Sequence, residues 1–199
     1  YKQYKNFKCD LKYEDYAYLL CRGGWPEIFT ITTKTAQLEV AKDLYRQIYL
    51  KDMKNINHNC KNITLIKKLI KSFARNICSL VSKQTIYEDV SSSKHQKRID
   101  NYIEALKKLY VVEEINAWSP NVMSRSSMRV SSKKNFIDPS IALRSLGINH
   151  EKLLKEPAIF GHMFESMCIR DLKVYASKLD GEITFYRDRN GLECDAVLY

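Results

Sequence analysis

Nowhere in these 199 residues does an apolar run reach membrane-spanning length, and no secretory leader is expected. There is no Cys-x-x-Cys pair: Cys9, Cys21, Cys60, Cys78, Cys168 and Cys194 are scattered, and the four histidines are equally dispersed. Structural zinc and a disulfide framework are therefore not expected, whereas buried free thiols in a cytoplasmic protein are. A Gly-x-x-x-x-Gly-Lys phosphate loop is missing too, because the six glycines are Gly23, Gly24, Gly147, Gly161, Gly181 and Gly191. Binding of ATP by such a loop is excluded. The chain begins at Tyr1 rather than Met and ends inside a candidate strand, which leads us to expect a piece of a longer protein.

What is present is positive charge, unevenly spread. The net charge is +10, and the hydrophobic fraction of 45% suffices for one large domain or two small ones. Residues 61–134 hold 15 Lys and Arg against 6 Asp and Glu, a net of +9, while residues 135–199 hold 8 against 10. A basic segment beside an acidic one fits a polyanion-binding module next to a metal-binding one, and fits a lysine-rich solvated surface equally well.

The basic segment carries an ordered pattern. Apolar residues recur at helical spacing from Ile63 to Val81, a short helix is expected near Thr85 to Val90, and Ser91 to Ser93 make a turn. A third helix is expected from about Lys94 to Tyr110, with Ile99, Tyr102, Ile103, Leu106 and Leu109 inward. Strands at Val111 to Ile115 and Lys134 to Ile137 would then form a ribbon that stops at Asp138-Pro139. This order is that of a winged helix-turn-helix, whose last helix enters a groove with its first turns. Lys94, Lys97 and Arg98 lie there. The ribbon has no acidic residue between Ile115 and Phe136 and supplies Arg125, Arg129, Lys133 and Lys134 among serines. These seven cations are the candidate nucleic-acid contacts, DNA being the expected partner; contact with another domain or subunit is the rival use of the ribbon.

The last third begins with a helix from Gly161 to Leu179, in which Phe164, Cys168, Leu172, Tyr175 and Leu179 make one stripe with Glu165 at its flank. An alternating strand, an Arg189-Asn190-Gly191 turn and the return run LECDAVLY follow. Glu193 and Asp195 stand two apart and so share a strand face. A helix with Glu165 before that hairpin would gather three carboxylates, to be met by a divalent metal, by a Lys or Arg partner (Arg187 or Arg189 in the case of Glu165), or by water.

The runs RIDNYIEALKKLYVVEEINAWSPN, KKNFIDPSIALRSLG, GHMFESMCIRDLKVYA and FYRDRNGLECDAVL, with CRGGWPEIF upstream, resemble the DUF4143 family. That family is the C-terminal region of predicted AAA-type ATPases of bacteria and archaea. The resemblance implies an α+β architecture in three parts. Residues 1–62 would be a helical connector after an absent ATPase domain, residues 63–140 a winged-helix domain, and residues 141–199 the truncated start of a restriction-endonuclease-like, PD-(D/E)XK nuclease-like α/β domain. It implies Glu165 and Asp195 as Mg²⁺ ligands and catalytic residues, with Glu193 part of a Glu-x-Asp pattern. The Glu-x-Lys that completes such a site is not reached, and ATP would be bound only by the absent domain. The implied partners are DNA and the chain's own ATPase domain, with no membrane. A non-catalytic interaction or regulatory module of the ATPase is the alternative.

Overall fold

The computed structural model describes residues 10–90, 96–119, 131–188 and 190–199. Its elements are mostly helices, with two short antiparallel strand pairs: an α+β fold. The first sixty residues supply α1 (Tyr13–Arg22), a 3-10 turn (Pro26–Thr30), α2 (Lys34–Gln47) and, after a π turn, α3 (Met53–Ile56). Their inward residues Ala17, Leu20, Cys21, Ile48, Met53 and Cys60 join the same buried cluster that continues to Phe185. These helices complete a core they share with the rest of the chain.

The middle of the chain folds as helix, helix, helix and ribbon. In α4 (Ile63–Arg75) the apolar period puts Ile66, Leu69, Ile70 and Phe73 inside, and Asn62 caps its start by accepting from Leu65 N–H at 3.0 Å. The spacing extends that helix to Val81, but the chain turns earlier. The Asn76 side chain donates to Ser72 C=O at 2.9 Å, and Cys78 takes a left-handed φ of 56°. Cys78 N–H then donates to Lys134 C=O at 2.7 Å, so residues 77–80 line the ribbon's edge. An apolar residue serves a helix and a strand edge equally, which is why spacing alone overran the end.

Helices α5 (Lys83–Val90) and α6 (Gln96–Lys108) are tied to their surroundings by buried or half-buried polar contacts. Ser72 Oγ donates to Asp89 at 2.7 Å, Tyr87 Oη to Asp100 at 2.6 Å, and Tyr102 Oη to Asn59 C=O at 3.2 Å. The ribbon pairs β1 (Val112–Ile115) with β2 (Lys133–Phe136), Val112 opposite Phe136 and Ile115 opposite Lys133.

Beyond the ribbon come α7 (Pro139–Leu146), α8 (His150–Leu153), α9 (Pro157–Ala176), β3 (Ile183–Arg187) and β4 (Glu193–Leu198). The two strand pairs meet edge to edge: Phe185 N–H donates to Asn116 C=O at 3.1 Å, and Trp118 N–H to Phe185 C=O at 2.6 Å. The ribbon and the β3–β4 hairpin therefore form one continuous surface against α9.

One face is reversed from the sequence expectation. In α9 the buried residues are Phe160, Met163, Ser166, Ile169 and Ala176, whereas Phe164, Leu172 and Tyr175, with Leu179 just beyond the helix, are exposed. The helix is apolar on two sides, so its period cannot say which side the core takes.

Candidate functional site

Strand β2 reads Lys-Lys-Asn-Phe, and all four residues are buried. A strand so placed must pair each polar group, and every one of them finds a partner. Lys133 Nζ lies 2.9 Å from Glu165 of α9, 3.0 Å from Glu193 and 2.6 Å from Asp195 of β4. Lys134 meets Glu114, which also accepts from Lys107 at 2.8 Å. Asn135 donates to Glu113 at 2.8 Å and accepts from Ser166 at 2.6 Å, and Glu113 takes Lys173 at 2.7 Å. Three consecutive side chains thus fasten the ribbon to α6, to α9 and to the hairpin.

Glu165, Glu193 and Asp195, read from the sequence as a potential trio, are brought together. Arg187 approaches Glu193 at 3.6 Å rather than Glu165, Arg189 lies outside the described residues, and the shared partner is a lysine, Lys133. A cavity of about 370 Å³ opens beside them, lined also by Cys78, His162 and Arg187. Burial by itself would lower the Lys133 ammonium; its hydrogen bonds to the three carboxylates outweigh that and hold it above its ordinary range. Burial pushes the Glu165 carboxyl up despite Lys133. The Cys78 thiol is pushed up by burial and by Glu165, so it offers no thiolate near neutral pH.

The Mg²⁺ expectation does not fit this arrangement. An ammonium within 3.0 Å of all three carboxylates stands where a cation between them would have to stand. Among the described residues no group of three or more His, Cys, Asp or Glu is placed to hold a metal ion.

The seven candidate nucleic-acid contacts separate. Lys97 and Arg98 are exposed on the first turn of α6. Lys133 and Lys134 are 2% and 4% exposed, engaged with carboxylates and unable to reach phosphate, which corrects their assignment. A lysine among serines reads as solvated, but the acids that hold these two come from other elements. Lys94, Arg125 and Arg129 lie outside the described residues. Lys68, by contrast, was passed over: it lines a cleft of about 320 Å³ with Asn62, Thr64, Arg98 and Ile99. The signal was its place off the apolar period of α4.

The Glu114 cluster carries a pH prediction. Burial alone would raise this carboxyl, but hydrogen bonds and charge from Lys107 and Lys134 bring it down to about 2 from an ordinary 4.5. A depressed folded-state value means stability that is present above about pH 4.5 and lost as the pH falls towards 2. Glu114→Gln should remove on the order of 2–3 kcal/mol at pH 7 and much less near pH 2.5, read from urea midpoints at both. An equal loss at both pH values refutes the charge account.

The fold and this site define an α+β protein whose ribbon is locked by buried lysine–carboxylate clusters. Residues 13–152 match the model of a family described as Domain of unknown function (DUF8612), and the chain belongs to that family. No curated protein and no solved structure matches the chain. The family is a different one from DUF4143, so the membership expected from the sequence is corrected. The AAA-type ATPase partner, its ATP site and the nuclease-like reading of the C-terminal third rested on that membership and lose their ground with it. Among the described residues no helix is long and apolar enough to cross a membrane.

Proposed function

We propose that this chain is a nucleic-acid-binding module, directed at duplex DNA through the start of α6 and the cleft between α4 and α6. The observation that carries this reading is that Lys68 of α4 and Arg98 of α6 line one cleft, with exposed Lys97 on the same turn as Arg98. Helix α6 is the third helix before an antiparallel ribbon, the position of a recognition helix in winged folds. Asn62 and Thr64 bring further polar groups to the cleft, the kind that accompany cations on a phosphate backbone.

Of the 15 Lys and Arg in residues 61–134, Lys107, Lys133 and Lys134 are already engaged by Glu104, Glu114 and the trio. The cations left for phosphate concentrate on α4 and α6, where Lys68, Lys71 and Lys97 are exposed. Each phosphate contact releases counterions, so affinity falls steeply with salt.

The test is fluorescence anisotropy of a labelled duplex titrated with the full chain between about 50 and 200 mM salt. Lys68→Ala with Arg98→Ala should weaken binding at least about tenfold at the low end and lower the salt slope by about two units. Unchanged affinity and slope, or no salt-dependent binding by the wild type, overturns the proposal.

A further inference from the structure

We infer that Lys133 is a built-in counter-cation that closes the Glu165–Glu193–Asp195 trio to divalent metal ions. The inference is independent of the nucleic-acid reading, since none of these residues borders the α4–α6 cleft. An ammonium has three donors. Each of Lys133's has a different carboxylate to reach, at 2.9, 3.0 and 2.6 Å, so none is left over.

Its position is held from behind. Lys133 pairs with Ile115 in the ribbon and bridges to Leu80 on the other edge, and its Nζ lies 5.5 Å from the Phe185 ring centroid. Its side chain is buried, with 2% exposure. Mg²⁺ or Ca²⁺ shared by these carboxylates would need their oxygens at about 2.0–2.6 Å. It would then sit almost on top of a buried ammonium, with no water between two positive charges. Arg187 faces the same cavity and adds to the opposition.

Removing the ammonium reverses the situation. The trio would be left with a strong negative excess beside an open cavity, and Asp195 is 59% exposed on its side chain, so an ion could enter from solution. Lys133→Met keeps the stem and deletes the charge.

The experiment is Mn²⁺ titration of the full chain, followed by electron paramagnetic resonance of free Mn²⁺. Wild type should take up no Mn²⁺ in a manner sensitive to Glu165→Gln or Asp195→Asn. Folded Lys133→Met should bind one Mn²⁺ at least tenfold more tightly than wild type, and Glu165→Gln in that background should abolish the gain. Wild-type uptake that Glu165→Gln abolishes overturns the inference, and so does a folded Lys133→Met that binds none. Should Lys133→Met not fold, the wild-type titration decides alone: uptake abolished by Glu165→Gln or Asp195→Asn overturns the inference, and the absence of such uptake supports it.

Discussion

Lys133→Met should destabilise the protein by about 3 kcal/mol at pH 7, the low end of what breaking a buried ion pair costs. The gain of an apolar stem in a buried strand does not offset what is left behind. Three carboxylates would face one another without the cation that each now touches. They are unequal: Glu165 is mostly enclosed, whereas Asp195 keeps over half its side-chain surface in water and can fall back on solvation. Most of the loss therefore belongs to Glu165. In the variant, burial holds the Glu165 carboxyl up without Lys133 to oppose it, so its penalty exists while it is ionised and fades as it protonates on acidification. Urea unfolding at pH 7 and pH 4.5 should show the deficit shrinking at the lower pH with little change in the slope against denaturant. A loss below about 1 kcal/mol at pH 7 would place these contacts with ordinary surface ion pairs and sink the argument.

Lys133 also marks where the sequence stops being readable. The local signals held: apolar spacing located α4, α5 and α6, alternation located the β3–β4 hairpin, and the residues expected to gather in the C-terminal third do converge. Glu193 and Asp195 share a face because strands alternate, and Glu165 joins them because α9 packs on the hairpin. The cation they meet comes from 32 positions upstream of Glu165, in a run of serines and lysines that looks solvated. Charge matched across such a separation leaves no local trace, so Lys133 and Lys134 were given to phosphate. The same limit explains α9. Phe164, Cys168, Leu172 and Tyr175 are as regular as Phe160, Met163 and Ile169, and only packing decides that the second set is buried. A resemblance carried by runs spread from Arg98 to Leu198, with CRGGWPEIF upstream, led to a family other than the one that matches.

Asp138 should be the second most sensitive charged position, and for a different reason: it holds three separate segments at once. The Asp138-Pro139 pair reads in sequence only as the end of the ribbon. In the fold Asp138 caps α7, accepting from Ser140 N–H at 2.9 Å. Its other oxygen accepts from Gly24 N–H at 2.8 Å and from the Arg170 guanidinium of α9 at 2.6 Å. The Gly-Gly-Trp turn is seated there because Gly23 takes a φ of 80° and Trp25 Nε1 donates to Ser140 Oγ at 3.0 Å. Asp138→Ala removes a helix cap, worth about 1 kcal/mol, and strands the Gly24 N–H and a half-buried guanidinium. Arg170 would keep Asp171, at 2.8 Å, which limits its share. The expected total is on the order of 3 kcal/mol, with Asp138→Asn costing about half as much because its amide oxygen still serves the cap. Chemical denaturation gives the two totals, and hydrogen exchange at Gly24 supplies the local check, since its amide should lose protection in Ala before the core does. If Asn is as damaging as Ala, the charge on Arg170 outweighs the cap; if Ala costs under 1 kcal/mol, the junction does not hold the three segments together.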